Sequence, residues 1–259
     1  MLKGNEHMPD FNQMFANAGV RVVKPETMTD FSLLLFGMAG SGKSSLAATA
    51  SKVDALSPVL YIDFEGGTLP LIEHGDTSKI TIVHCDDWAD FENIAKKVIL
   101  PALRKKEFPF KTVVIDTVDL MQELIVRHYG ETNGGDGYAK WAAAYEQPVS
   151  ILSKLFNYPG LSVIAITHAT REQDQVTGAT LISPTFEGRK SLTRLPSLFD
   201  FVGYLAWTEV EKGKNVPVLY LQQPGIVTKK KLASIPAAIG NPTLGKLHGF
   251  ITDAVEDHK

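Results

Sequence analysis

The chain of 259 residues has a single cysteine, Cys85. That excludes an internal disulfide and any zinc site built on cysteines. No apolar run approaches the ~20 residues of a membrane span, and Met1 to Val20 lack the apolar core of a secretory signal. These absences predict a cytoplasmic protein with no membrane partner. Excess positive charge is missing too: 26 Lys and Arg stand against 29 Asp and Glu, a net of −3. No global field therefore attracts nucleic acid, and any such contact must come from a local patch. Internal repeats and low-complexity tracts are also absent. What remains, 44% hydrophobic and 21% charged residues, is the composition of a soluble globular chain.

Against that background one segment stands out. Gly37-Met38-Ala39-Gly40-Ser41-Gly42-Lys43-Ser44 fits the phosphate-binding pattern G-x-x-x-x-G-K-[ST] without a mismatch. The apolar run Phe31 to Phe36 precedes it and the helix-prone Ser45 to Ala50 follows, the strand–loop–helix setting that the chemistry requires. Glycines let the backbone wrap phosphate oxygens, and its N–H groups point inward at a helix N-terminus. Residues 37 to 45 (Gly37, Met38, Ala39, Gly40, Ser41, Gly42, Lys43, Ser44 and Ser45) are thus the candidate ATP cradle. Lys43 reaches the β- and γ-phosphates, and the Ser44 hydroxyl ligates Mg²⁺.

Elsewhere, β-rich runs alternate with helical stretches. The expected fold class is α/β: a mainly parallel sheet flanked by helices, with a C-terminal antiparallel hairpin. Strands are expected at Pro58–Phe64, Ile80–Val83, Thr112–Asp116, Leu161–Thr167 and Phe201–Trp207. Val216–Gln222 and Gly225–Thr228 are read as the closing hairpin. Helices are expected from an Asp87 cap to about Leu103, through Leu120 to His128, and over Tyr138–Phe156. Gly130–Gly137 and Ala169–Pro196 are read as loops. The domain reading is an arm at 1–29, an ATPase core at 30–240 and a tail at 241–259.

Four further signals carry chemistry. Val113-Val114-Ile115-Asp116-Thr117 places a carboxylate at the carboxyl end of a strand, where α/β sheets hold ligands; Asp116 can hold Mg²⁺ there or cap the next helix. Glu65, just past the strand after the phosphate-loop helix, can polarise a water for in-line attack or be a solvated turn residue. His168 ends the run Val163 to Thr167 and suits a γ-phosphate sensor, although a strand-end His also serves structure. Beyond it, Arg171, Arg189, Lys190 and Arg194 face Glu172, Asp174 and Glu187, a modest footprint for a phosphodiester backbone or plain solvated charge. Thr228-Lys229-Lys230-Lys231 is either wet surface or a source of cations for a neighbouring subunit's nucleotide. His84-Cys85-Asp86-Asp87 reads as a strand end followed by helix-capping carboxylates rather than a metal cluster.

In this order, the phosphate loop, Asp63-Phe64-Glu65, Ile115-Asp116-Thr117, Ile166-Thr167-His168 and the terminal lysines resemble the RecA-like P-loop ATPase core over about residues 30 to 240. The chain is most similar to short bacteriophage ATPases of the Sak type, which act in single-strand annealing and recombination. Shared details are Tyr138-x-x-Trp141, Arg171-Glu172, Leu198-Phe199-Asp200-Phe201-Val202 and the lysines running into Ile235-Pro236. The resemblance implies a DNA-stimulated ATPase with ATP and Mg²⁺ as cofactors, and Lys43, Ser44, Glu65, Asp116 and His168 in the roles above. It implies Lys229 or Lys231 as the cation acting in trans, and Gly130–Gly137 and Ala169–Pro196 as DNA-facing loops. His168 stands where RecA itself has Gln. The partners implied are single-stranded DNA, further copies in a ring or filament, and a single-strand DNA-binding protein, in the host cytoplasm if a phage encodes the chain. A ring helicase and an ATP-switched annealing scaffold with negligible hydrolysis remain alternatives. Phe15-Ala16-Asn17-Ala18 matches a short polymerisation tether of some recombinases, a pattern that chance also supplies.

Overall fold

In the computed structural model, the residues described are 14–15, 17–18, 29–132, 137–173, 175 and 178–257. The strands are β1 (Ser32–Gly37), β2 (Val59–Asp63), β3 (Ile80–His84), β4 (Thr112–Asp116), β5 (Ser162–Gln173), β6 (Thr180–Pro184), β7 (Phe201–Glu211), β8 (Lys214–Tyr220), β9 (Lys229–Lys230) and β10 (Ala238–Gly240). They join in the order β10-β8-β7-β1-β5-β4-β2-β3, with β6 paired to β5 and β9 to β7. From β7 to β3 the sheet is parallel, while β7–β8 and β8–β10 are antiparallel. The expected fold class therefore holds.

The helices are α1 (Lys43–Ala48), α2 (Leu69–His74), α3 (Trp88–Ile94), α4 (Leu100–Lys105), α5 (Val118–Thr132), α6 (Gly137–Phe156), α7 (Arg189–Leu198) and α8 (Leu244–Glu256). Successive strand residues point to opposite faces, so the near-continuous apolar strands feed two cores. Leu34, Phe36, Ile115, Val163 and Ala165 pack with Trp88, Phe91, Ile125 and Leu152 from α3, α5 and α6. Leu33, Leu35, Val114, Ile164 and Ile166 pack on the other side with Leu46 of α1 and Leu244, Leu247 and Ile251 of α8. The segment read as a tail is thus built into the second core, and Leu244 N–H donates to Thr49 Oγ1 at 2.8 Å.

Three expectations need correction. Ala169–Pro196 is not a loop. β5 runs on past Thr167 and turns back through β6, with Ala169 opposite Pro184, and α7 begins at Arg189. The sequence misled because the continuation of β5 beyond Ala169 is polar and β6 is a short strand without a regular apolar alternation. The closing hairpin is β7–β8, not Val216–Gln222 with Gly225–Thr228, whose Ile226 makes a single bridge to Ile182. Finally, α5 extends through Gly130 to Thr132 and α6 starts at Gly137; residues 133–136 of the expected loop lie outside the described ones.

Candidate nucleotide site

The phosphate loop lies between the end of β1 and α1, and the parallel register puts Gly37 level with His168. A side chain at Gly37 would come within 2.5 Å of both the Leu205 carbonyl and Ser41 Oγ. Gly40 and Gly42 adopt φ of 74° and 93°, the left-handed region that glycine enters without penalty. Lys43 is buried and folds back over the loop. Its Nζ donates to the carbonyls of Gly37 at 3.0 Å and Met38 at 3.1 Å. Burial pulls its pKa below the ordinary range, while Asp116, Glu65 and Asp119 act to hold it up. Ser41 Oγ, also buried, has no hydrogen-bond partner. A cavity of about 540 Å³ opens over the loop, bordered by Lys43, Ser44, Glu65, Gly66, Pro70 and His168.

Asp116, at the end of β4, sits beside this cavity. Its Oδ2 accepts from Ser44 Oγ at 2.7 Å and from the Tyr61 hydroxyl, while its Oδ1 is buried without a partner. Burial raises its pKa, and the bonds from Tyr61 and Ser44 only partly offset that. A buried carboxylate with one bare oxygen beside a serine hydroxyl is a hard oxygen donor pair, and these residues fit a divalent cation such as Mg²⁺.

Glu65 is positioned by Asp63. Asp63 Oδ1 accepts from the N–H groups of Glu65 at 3.1 Å and Gly66 at 2.9 Å, a local turn that aims Glu65 over the loop. Asp63 Oδ2 meets His84 Nδ1 at 3.0 Å, and His84 Nε2 meets Asp86 at 3.0 Å. The bond to Asp63 raises the His84 pKa; desolvation opposes it, and the charge of Asp63 and the contacts with Asp86 add to the rise. As expected, Asp87 caps α3 through Asp90 N–H at 2.8 Å. His168 lies between two carboxylates: Nδ1 is 2.7 Å from Asp119 Oδ2, and Nε2 is 3.7 Å from Glu65 Oε1. Asp119 is buried, and its second oxygen is unpartnered.

The glycine loop, Lys43, Ser44, Ser45, Glu65 and His168 thus border one cavity, and Asp116 lies behind it, bonded to Ser44. Lys229 and Lys231 are not part of this group. Lys230 pairs with Phe201 and Phe201 with Leu33, which sets the lysines about four residues, ~13 Å of strand, below Gly37. Lys229 Nζ donates to the carbonyls of Ser197 at 2.9 Å and Phe199 at 2.6 Å, and Lys231 Nζ to Asp200 at 2.5 Å. Sequence reasoning missed Tyr61 and Asp119, and named Asp63 only within the Asp63-Phe64-Glu65 segment, without a role. The signal for Asp119 was present, since it lies in the first turn of the helix after Asp116. Tyr61 carried none beyond sitting two residues before Asp63.

On the far side of the loop a second cleft of about 310 Å³ is lined largely by apolar groups, among them Leu46, Leu205, Trp207, Pro217 and Pro242.

A glycine-cradled lysine at the carboxyl ends of parallel strands, facing an Asp-Ser pair, defines a P-loop NTPase. A family model agrees: residues 29–232 match AAA_24, described as an AAA domain, and the chain belongs to that family. No curated protein matches the chain. Among solved structures, it is similar to a prototypical ATPase from the type III secretion system of pathogenic bacteria, at 16% identity and a TM-score of 0.46. That match covers 69% of this chain and 52% of the ATPase, so the chain spans about half its length.

Proposed function

We propose that this AAA-domain ATPase binds single-stranded DNA in its ATP-bound state, hydrolyses ATP to release it, and assembles head to tail. The observation that carries the reading is the path of β5. His168 stands where β5 stops pairing with β1 beside the phosphate loop, and the next residue, Ala169, begins the antiparallel hairpin with β6. A group facing the γ-phosphate is therefore one peptide bond from a projecting hairpin that bears Arg171, with Arg189 and Lys190 just beyond it.

When bound, Mg²⁺ would neutralise charge on the β- and γ-phosphates. Ser44 and Asp116 would hold it with the nucleotide's own oxygens, because among the described residues no cluster of three or more His, Cys, Asp or Glu could hold a metal alone. Lys43 exchanges its carbonyl partners for phosphate oxygens. Glu65 accepts the proton of the attacking water, and His168, steadied by Asp119, reports on the γ-phosphate and on Glu65. The cleft beside Trp207 suits the nucleobase, with the exposed indole as a stacking face.

Head-to-tail contact would bring the lysine end of one copy to the phosphate loop of the next, which is how Lys229 or Lys231 would act in trans. Repeating such a heterologous contact gives a ring or a filament. In that case a Lys229→Ala/Lys231→Ala protein mixed with Glu65→Gln protein regains turnover; no regain excludes the trans role.

The central test is binding of an oligo-dT with and without ATP across salt, alongside ATPase rates with and without that DNA. ATP-dependent, salt-sensitive binding with stimulated turnover is expected. Turnover indifferent to DNA and absence of binding would overturn the DNA reading while leaving the ATPase. Duplex unwinding would make the chain a motor instead.

A further inference from the structure

We infer that the outer face formed by α6 and α7 is a stacking platform for single-stranded DNA; the inference rests on the DNA reading above and assigns it a surface. α6 turns its small and aliphatic side chains, Ala143, Ala144, Leu152 and Leu155, into the core. Trp141, by contrast, stays 45% exposed. With nearly half of its surface in water, this ring forgoes about half of the ~1.5–3 kcal/mol that full burial brings, and what marks it is the company it keeps. Tyr145 follows one helical turn later and is half-buried, so the two rings line one stripe with a rise of ~6 Å.

Cations accompany both rings. Lys140 Nζ lies 5.7 Å from the Trp141 ring centre, and Lys190 Nζ, from the first turn of α7, lies 4.2 Å above Tyr145. Arg189 and Arg194 are exposed on α7 as well. Against these four cations stand Glu146, Glu187 and Glu123, the last near enough to act on Glu187, so the face carries a small positive excess on a chain whose net charge is negative. Aromatic faces interleaved with cations are what a single strand needs: unpaired bases stack on the rings while Lys and Arg track the phosphates. A duplex hides its base faces and offers only the second contact.

The platform is also rigid. Buried Gln122 on α5 donates through Nε2 to the Ala144 carbonyl of α6 at 2.6 Å and to Ser191 Oγ of α7 at 3.1 Å. Its Oε1 accepts from Glu187 N–H at 3.0 Å. One side chain thus fixes both platform helices to α5, one turn beyond Asp119, which holds His168. Preorganisation of this kind lowers the ordering cost of binding.

The test uses the full chain with ATP and a fluorescein-labelled oligo-dT followed by anisotropy. Trp141→Ala is expected to weaken binding about 5- to 100-fold, the loss of one stacked base. Trp141→Phe should retain most of the affinity. Lys190→Ala should lower the slope of log K against log salt by up to about 0.7. Because Trp141 is exposed, its variants should keep the wild-type thermal midpoint. Wild-type affinity in both Trp141→Ala and Lys190→Ala would overturn the platform while leaving the DNA reading intact. A wild-type chain that binds no oligo-dT would end both. Equal affinity for a duplex of the same length would overturn the platform alone, because paired bases cannot stack on it.

Discussion

The two ends of the parallel sheet treat charge in opposite ways. At the amino end, Asp200 accepts from Ser32 N–H at 2.8 Å, Ser32 Oγ at 2.7 Å and Lys231 at 2.5 Å, and Lys229 is held by two carbonyls. Burial pushes the Asp200 pKa up, but the bonds from Lys231 and Ser32 outweigh it and leave it below the ordinary range. At the carboxyl end the same kinds of group are left short. Among the described residues, four of the five buried side-chain atoms without a partner belong to Ser41, Asp116, Thr117 and Asp119. Native folds seldom tolerate such atoms without a use for them. Within one copy the charges of the amino end are already met by internal partners; the carboxyl end is built to be completed by a ligand.

Breaking the carboxyl end should cost function before stability. Lys43→Ala should lower ATP turnover by ~10³-fold or more, since among the described residues no other Lys or Arg borders the loop cavity; normal turnover in the folded variant would refute the site. Glu65→Gln keeps shape and polarity but removes the base. Turnover should fall ~10²-fold with nucleotide affinity held, and equal loss of both would make Glu65 structural. Asp119→Asn should cost about tenfold in turnover, the scale of losing an orienting partner. Nitrogen NMR of His168 should then show a changed tautomer, and an unchanged spectrum would remove Asp119 from that role.

Stability should move in opposite directions at the two ends. Asp200→Ala leaves Lys231 and Ser32 unpaired and should cost about 1–3 kcal/mol in urea unfolding, with turnover per folded molecule unchanged. Its wild-type contribution is present above the ordinary carboxylate value of 3.8 and is lost as the pH falls through the depressed value. For Asp116 the sign reverses. With the pKa raised, stability is full below 3.8 and declines as the pH rises through the folded value. Asp116→Asn should therefore raise the nucleotide-free thermal midpoint at neutral pH, and the gap should close in acid. A midpoint lowered at neutral pH would show that the carboxylate is structural.

The central parallel strands were legible because strands buried on both faces read as continuous apolar runs; β1, β2, β4 and the first half of β5 are of this kind. The periphery was not. The end of β5 is polar and exposed, and β6 is a short run, Thr180–Pro184, of which only Pro184 is fully buried. α7 hides behind Gly188 and Pro196, although Ser191 and Leu195 are fully buried. β8 was read as a strand from Val216, but its partner was misassigned because β7 runs on past Trp207 to Glu211 through mostly exposed residues. In the site, the residues that a phosphate or metal demands announced themselves by type and spacing. Those that act through others did so less plainly: Tyr61 gains its role only from the register that sets Asp63 beside Asp116, and the place of Asp119 in the turn after Asp116 takes on meaning once Gly37 stands beside His168.

Cys85, the lone thiol, has a practical consequence. It is fully buried after β3, and burial pushes its pKa up to about 12, so at neutral pH it holds almost no reactive thiolate. A cysteine introduced on the surface, for instance by Lys212→Cys at the β7–β8 turn, would be the one position a maleimide dye labels. Donor- and acceptor-labelled batches, mixed, would then report by energy transfer whether copies of this chain meet in solution, without removal of any native residue from the core.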